Sequence, residues 1–402
     1  MTKAIASVAQ SADRMIFPMA ATCGLAVATI YYNQPLLPLM AASFGQSSGT
    51  VGLIATATQL GYALGLILFV PLGDRMDRRR LILTLLLANI GSFLLCSVAP
   101  SLRIASIASL TLGLTAVTAQ IVIPMVTGLT APDKRGRTVA IMLGGLSAGI
   151  MLSRSLSGLI GAAFGWRTMF QMAAGIDVML MIIVWRTLPH AAATTDVRYT
   201  RLLASLWHLF VSEPVLRKAS MTGFLIFAAF SAFWSSMATL LARPPYMLGA
   251  AGAGAFGLLS VAGISLSPFI GRLVDRVGSR PLLFAVGLLE VFAFGLLLLR
   301  AESGIWLIMV VVVLLDVGNR AGIVACQTRV FSLGEQARSR LNSIFMSFYF
   351  LGGALGAHAG QASVARWGWP GLALAGAGFA AMAFLVHALM PDHRQAYGPR
   401  AS

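Results

Sequence analysis

The apolar residues of this chain do not recur as stripes between polar ones; they run on for the length of a bilayer crossing and stop at short polar segments. A run of about 20 apolar residues spans the roughly 30 Å hydrocarbon core. Twelve such runs can be placed, at about 17–39, 51–72, 81–99, 104–127, 138–163, from the turn at 165–167 to 188, then 219–242, 250–270, 281–299, 305–328, 342–365 and 370–390. These are spans 1 to 12, and they predict an all-α membrane protein. The first run follows a short basic start but is too long for the apolar core of a cleaved signal, so it is kept as a span.

The polar segments repeat. PLGDRMDRRR at Pro71–Arg80 has a counterpart in PFIGRLVDRVGSRP at Pro268–Pro281, and the Gly165-Trp166 pair returns as Gly368-Trp369. Arg137 stands as far before Trp166 as Arg340 does before Trp369, and the same shift carries Gly149 onto Gly352. The chain therefore reads as two six-helix halves in the same orientation, residues 1–188 and 219–402, with a site expected near the midplane between them. The intervening residues 189–218 put Leu202, Leu203, Leu206, Leu209 and Phe210 on one face at helical spacing beside basic residues. That pattern fits a surface-lying amphipathic helix; a plain linker is the alternative.

Composition agrees: of 402 residues, 58% are hydrophobic and 10% charged, against about 25% charged in a soluble domain. A net charge of +16 could suggest nucleic acid, but its placement says otherwise. With the first loop taken as cytoplasmic, most Lys and Arg residues, from Lys3 to Arg394 and Arg400, fall on that side. Only Arg103, Arg167, Arg243, Arg300 and Arg366 fall on the other, and Arg154 and Arg320 lie inside spans. Such asymmetry orients the chain with both termini in the cytoplasm. Cys23, Cys96 and Cys326 lie in three different spans without paired spacing, so neither disulfide nor metal site is expected. No cofactor is expected either.

Polar groups within spans mark candidate chemistry. Span 1 ends in IYYNQPLLP, where Tyr31, Tyr32, Asn33 and Gln34 suit either the membrane interface or a cavity wall. Span 2 carries Gly61 and Gly65 in a spacing that lets helices approach closely, and span 5 places Gly145, Gly149, Ser153 and Ser157 on one small face. Phe224, Phe227, Phe230 and Trp234 of span 7 form an aromatic stripe facing lipid, a neighbour or the cavity. Five ionisable groups lie deep in spans: Arg154, Asp177, Glu290, Asp316 and Arg320. Each costs roughly 2.5 to 3.5 kcal/mol at mid-bilayer. Arg154 and Asp177 are equidistant from the turn at 165–166 and are expected to pair, as a structural lock or as a part of transport. Asp316 and Arg320, four apart, share a face of span 10. Reflecting Glu290 through the turn around Glu302 brings it to the same depth, within roughly 3 Å along the axis. Two acids around one arginine could hold one proton or none; a fully satisfied structural triad is the alternative. His358 and His387 read as packed residues.

These loops carry a resemblance. GRLVDRVGSR at Gly271–Arg280 fits G-x-x-x-D-R-x-G-x-R, and GDRMDRRR is its first-half counterpart, so the chain resembles the major facilitator superfamily and, within it, the bacterial drug:proton antiporter branch and its sugar-efflux relatives. The resemblance implies a cavity lined by spans 1, 4, 7 and 10, which would place Gln120, Asn33, Gln34, Asp316 and Arg320 on cavity helices, and alternating access by rocking of the halves. It also implies that Asp74, Arg75, Arg78, Asp275 and Arg276, with Gly271, Gly278 and Arg280 shaping the second loop, hold facing helix ends together in the outward-open state. The sequence departs from the pattern at Val70 and Asp77, where the first motif has glycine, at Ser109, and at Gly149-Ile150. The expected function is proton-coupled export of a small organic compound by a monomeric inner-membrane transporter. Inward proton symport is the first rival, and a membrane sensor or enzyme the remote ones. No nucleophile, base and orienter fall together, and no phosphate-binding loop occurs.

Overall fold

The computed structural model describes residues 2–190, 195, 197–300, 304–334 and 337–390. Arg394 and Arg400, and the expected turn centre Glu302, lie outside the described residues. Among the described residues, eleven helical runs are long and apolar enough to cross a bilayer: Met15–Phe44, Gly49–Arg75, Arg78–Ser97, Leu102–Leu129, Pro132–Phe164, Trp166–Thr187, Pro214–Leu241, Ala250–Val277, Ser279–Leu298, Ile305–Phe331 and Arg338–Leu389. The last holds two spans, because Gly368, at φ 61° and ψ −137°, lies outside helical geometry and divides it. The twelve expected spans are thus all present and keep their numbers.

Packing repeats with the sequence. In the first half spans 1 and 5, 2 and 4, and 3 and 6 are the principal partners; in the second the corresponding pairs, 7 and 11, 8 and 10, and 9 and 12, are packed together as well, with spans 9 and 10 also in extensive contact. Each pair maps onto its counterpart by a shift of one half. The equivalence reaches single residues: a Cβ on Gly149 would stand 2.0 Å from the Gly24 carbonyl oxygen of span 1, and one on Gly352 would stand 2.0 Å from that of Phe224 in span 7. Both contacts are backbone against side-chain-free backbone, the approach that drives helix association where lipid competes for apolar surface. The expected close face of span 2 is realised too, against Leu110 and Leu114 of span 4.

The halves meet through spans 2 and 11 and spans 5 and 8. Their contacts run from mid-depth, where Tyr62 packs edge-on against Phe350 at 4.3 Å, toward the end opposite Pro71–Arg80. There Ser155 donates to the Gly254 carbonyl at 3.0 Å. Closer to that end, Gly158 comes so near span 8 that a Cβ would stand 2.4 Å from the Ala250 carbonyl oxygen, and Gly52 is filled over by the Gln361 side chain. The far end of the bundle is therefore closed by interlocked small residues.

At the basic-loop end, Tyr199–Ser212 forms a helix. Its predicted apolar face is the less exposed one: Leu206 is buried, Leu202, Leu203, Leu209 and Phe210 half-buried, and Trp207 exposed. Phe210 stacks on Phe348 of span 11 at 4.5 Å, while Tyr199 donates from its hydroxyl to the Leu68 carbonyl of span 2 at 2.7 Å. One short helix thus touches both halves.

Because Gly149 meets span 1 inside one half, a Gly149→Val substitution should lower the stability of the folded protein by about 1 to 3 kcal/mol through overpacking. A reduced melting temperature of the purified variant in detergent is the check.

Candidate functional site

Between the halves, at the depth of Tyr62 and Phe350, lies a cavity of about 110 Å³ whose wall is contributed by spans 1, 2, 4, 5, 7, 8, 10 and 11. Its charged groups are Arg154, Asp316 and Arg320; its neutral polar groups include Tyr31, Gln120, Ser260, Asn319 and Tyr349, and Phe227 and Phe230 supply the apolar wall. Of the aromatic stripe of span 7, Phe227 and Phe230 therefore face the cavity, whereas Phe224 and Trp234 do not line it. Phe227 stacks on Tyr349 at 4.0 Å, and Tyr349 donates to the Asn319 amide oxygen at 2.7 Å.

Arg154 is 2% exposed, and burying an unpaired guanidinium costs several kcal/mol unless its surroundings answer the charge. Here the answer is mostly aromatic. The guanidinium lies 3.9 Å from the ring centre of Trp234, 4.8 Å from that of Tyr31 and 6.0 Å from that of Phe230, each cation–π contact adding about 0.5 to 2 kcal/mol. Nε donates to the Gln34 side-chain oxygen at 2.7 Å. Nη2 has no hydrogen-bond partner among the described residues. Span 1 (Tyr31, Gln34) and span 7 (Phe230, Trp234) belong to opposite halves, so this one side chain is gripped from both.

Asp316 faces the cavity from span 10 and accepts a hydrogen bond from the Ser260 hydroxyl of span 8 at 2.7 Å. Both Arg154 and Arg320 act on it electrostatically. The arrangement is the inverse of the expected one: one acid between two arginines. Glu290 stands at the expected depth but on the wrong face. Its carboxyl lies against Gly318, about 200° around span 10 from Asp316; it is 0% exposed, and neither oxygen has a hydrogen-bond partner among the described residues. The expected Arg154–Asp177 pair is also absent. Asp177 turns into the first half, where Asn89 donates to it at 2.8 Å and Thr115 donates to Asn89 at 3.0 Å. Equal depth is a property of rise along the axis, whereas contact needs the rotation as well, and the two residues face opposite sides of their hairpin.

Span 1 explains a further set of corrections. It tightens into 3₁₀ turns at Thr29–Tyr31 and Gln34–Leu36, as suits a segment with prolines that cannot donate to the helix. Neighbouring side chains then diverge. Tyr31 lines the cavity; Tyr32 packs near Phe93 in the first half; Asn33 donates to Thr58 at 2.8 Å. Gln34 and Trp234 stand behind the cavity, holding Arg154. Ser260, Asn319, Tyr62 and Tyr349 complete the wall without having been singled out. Asn319, three residues after Asp316, was legible on the same helical face; the others follow only from how the spans pack.

The two basic loops differ. In the first, Arg78 pairs with Asp74 at 2.9 Å and donates from Nε to the Gly73 carbonyl at 3.0 Å, while Arg75 is exposed. In the second, Asp275, Arg276 and Arg280 are exposed and Gly271 is half-buried; Asp275 and Arg276 form no ion pair among the described residues. Gly278 turns the second loop at φ 83°, which an L side chain resists. At the equivalent point Asp77 keeps φ −56° and caps span 3, accepting from the Arg79 and Arg80 amides, so glycine is not required there. Asp77 also meets His190 at 2.5 Å. Partial burial raises the Asp77 carboxyl, but the hydrogen bonds from His190 and the two amides outweigh it and hold it below the ordinary aspartate value. A depressed value places the contribution above pH about 3.9 and removes it as pH falls through the lower folded value. Asp77→Ala should therefore cost about 1 kcal/mol at pH 7, with the gap in melting temperature closing below that range.

The Major Facilitator Superfamily model matches residues 19–264 and again 225–402. A protein of Escherichia coli O157:H7 described as "Uncharacterized transporter YgaY" is 37% identical over 372 residues, 92% of this chain and 94% of its own. A "Probable sugar efflux transporter" of Pasteurella multocida (strain Pm70) is 27% identical over 361 residues, 88% of this chain and 86% of its own. Among solved structures, a mutant of the nucleoside transporter NupG aligns with a TM-score of 0.78 over 94% of this chain and 100% of that one, at 11% identity, a likeness of fold alone. With twelve spans in two like-packed halves, a cavity between them and the family match on both, the chain belongs to the Major Facilitator Superfamily of membrane transporters.

Proposed function

We propose that this protein is an inner-membrane exporter, working as a monomer by alternating access, that exchanges a small organic compound for entering protons. The placement of its Lys and Arg residues supports a cytoplasmic position for the Pro71–Arg80 end and both termini. The closed far end is then the outer one. Export accords with the relative from Pasteurella multocida described as a "Probable sugar efflux transporter".

The observation that carries the coupling is the double setting of Asp316. Arg320 sits on its own helix, one turn away, and stays with it in any movement. Arg154 comes from span 5 of the other half. Rocking the halves apart at the outer end withdraws Arg154 from Asp316 while Arg320 remains. A carboxylate that loses one of two neighbouring cations gains affinity for a proton. Asp316 would load from outside when the outer end is open and unload inside when Arg154 returns. That is the direction of proton entry.

Two measurements test this reading. In everted vesicles bearing a pH gradient, addition of an exported compound should release protons, and Asp316→Asn should abolish that release while leaving exchange down a concentration gradient near the native rate. Unchanged proton release in the variant would refute Asp316 as the coupling group, and proton movement in step with the compound would assign inward symport instead. For the gate, Gly158→Val adds side-chain atoms where 2.4 Å separates a Cβ from the Ala250 carbonyl oxygen. It should favour the outward-open state, seen as severalfold faster labelling of a Gln361→Cys reporter by an impermeant thiol reagent.

A further inference from the structure

The charges on the cavity wall do not balance. Arg154 and Arg320 face one carboxylate, Asp316, which leaves the wall with one surplus positive charge. The other membrane-embedded acids do not make up the difference by contact: Asp177 is held by Asn89 in the first half, and Glu290 lies behind Gly318, off the cavity. A surplus charge in a largely apolar chamber is costly, and a bound ion of opposite sign is the direct remedy.

The unsatisfied hydrogen-bonding capacity around Arg154 has the same sign. Nη2 of Arg154 has no partner among the described residues although the residue is 2% exposed. It is a donor with no acceptor role. Arg320 adds a guanidinium, half-buried at the same wall, with no hydrogen bond or ion pair to a described residue. Guanidinium groups bind carboxylates and sulfonates through paired, charge-assisted hydrogen bonds. Beside them Phe227 and Phe230 offer a flat apolar surface for the rest of the molecule.

We infer that the transported compound is an organic monoanion, its acid group held between Arg154 and Arg320 and its apolar body against Phe227 and Phe230. This rests on the cavity being the transport site, and it extends the proton-exchange reading by giving Arg154 two tasks. Approach of Arg154 from span 5 completes the anion site on the inner side and expels the proton from Asp316. Its withdrawal weakens the anion's hold and readmits the proton on the outer side. Cargo and proton then bind in opposite states, as exchange requires.

The test needs no gradient. Benzoate, benzamide and benzylamine share a ring and carry charges of about −1, 0 and +1 at pH 7; 2-naphthoate and its amide extend the series. Binding of each to the purified full chain can be followed by quenching of tryptophan fluorescence and by calorimetry. The carboxylates should bind at least about tenfold tighter than the amides, the scale of a hydrogen bond to a charged group, and the amine should be excluded. Arg320→Gln, at a half-buried position, should erase the preference for carboxylate over amide in a variant that remains monodisperse, and Arg154→Lys should reduce it. Equal or tighter binding of the amide or amine, or no saturable binding of either carboxylate, would overturn the inference. The two readings part cleanly: carboxylate binding without proton exchange in vesicles removes the coupling and keeps the anion site. Proton-driven export of an amine but not of a carboxylate does the reverse.

Discussion

A buried guanidinium held from both halves is the constraint on which the centre of this molecule depends. Arg154 cannot return to water without opening the cavity, and its charge is answered by ring faces and an amide oxygen rather than by a carboxylate of its own. That choice matters physically. A direct ion pair in an apolar setting is strongly localised, and separating it would leave an uncompensated charge. Aromatic faces stabilise a cation over a range of positions, so Arg154 can approach or leave Asp316 without paying for a broken salt bridge at each step.

The rest of the architecture keeps that side chain in place. Span 5 is pinned to span 1 through Gly149 and to span 8 through Gly158, so Arg154, between them, sits where one half is rigid and the other is a separable surface. Span 1, by tightening into 3₁₀ turns, sends Tyr31 and Gln34 to Arg154 and Tyr32 and Asn33 away from it. At the opposite end the loops and the Tyr199–Ser212 helix tie neighbouring segments with short hydrogen bonds and stacked rings rather than with interlocked backbone. One end of the bundle is closed by shape and the other is joined by a strap, an asymmetry suited to a molecule that opens at one end at a time.

The repeat visible in the loops proved to be a repeat of packing. Every principal helix pair of the first half has its counterpart in the second, down to the glycines that meet spans 1 and 7. The charged residues break this symmetry. Arg154 has no equivalent arginine on span 11, where position 357 is Ala357, and Asp316 has none on span 4, where Gly113 stands. The scaffold is duplicated, whereas the polar centre is unique to each half, which is why the cavity can distinguish one half's arginine from the other's.

What the sequence determined was everything that depends on position along one helix: the number and order of the spans, the duplication, the small faces of spans 2 and 5, the amphipathic helix, and the depth of each buried charge. Depth follows from a constant rise per residue, so Glu290, whose carboxyl lies against Gly318, was rightly set level with Asp316. Only the tertiary structure decided who faces whom, because rotation about each axis is fixed by packing between helices and not by the helix itself. Rotation took Asp177 and Glu290 out of the two expected groupings and brought Arg154, from the other half, to the Asp316 and Arg320 pair already set on one face of span 10.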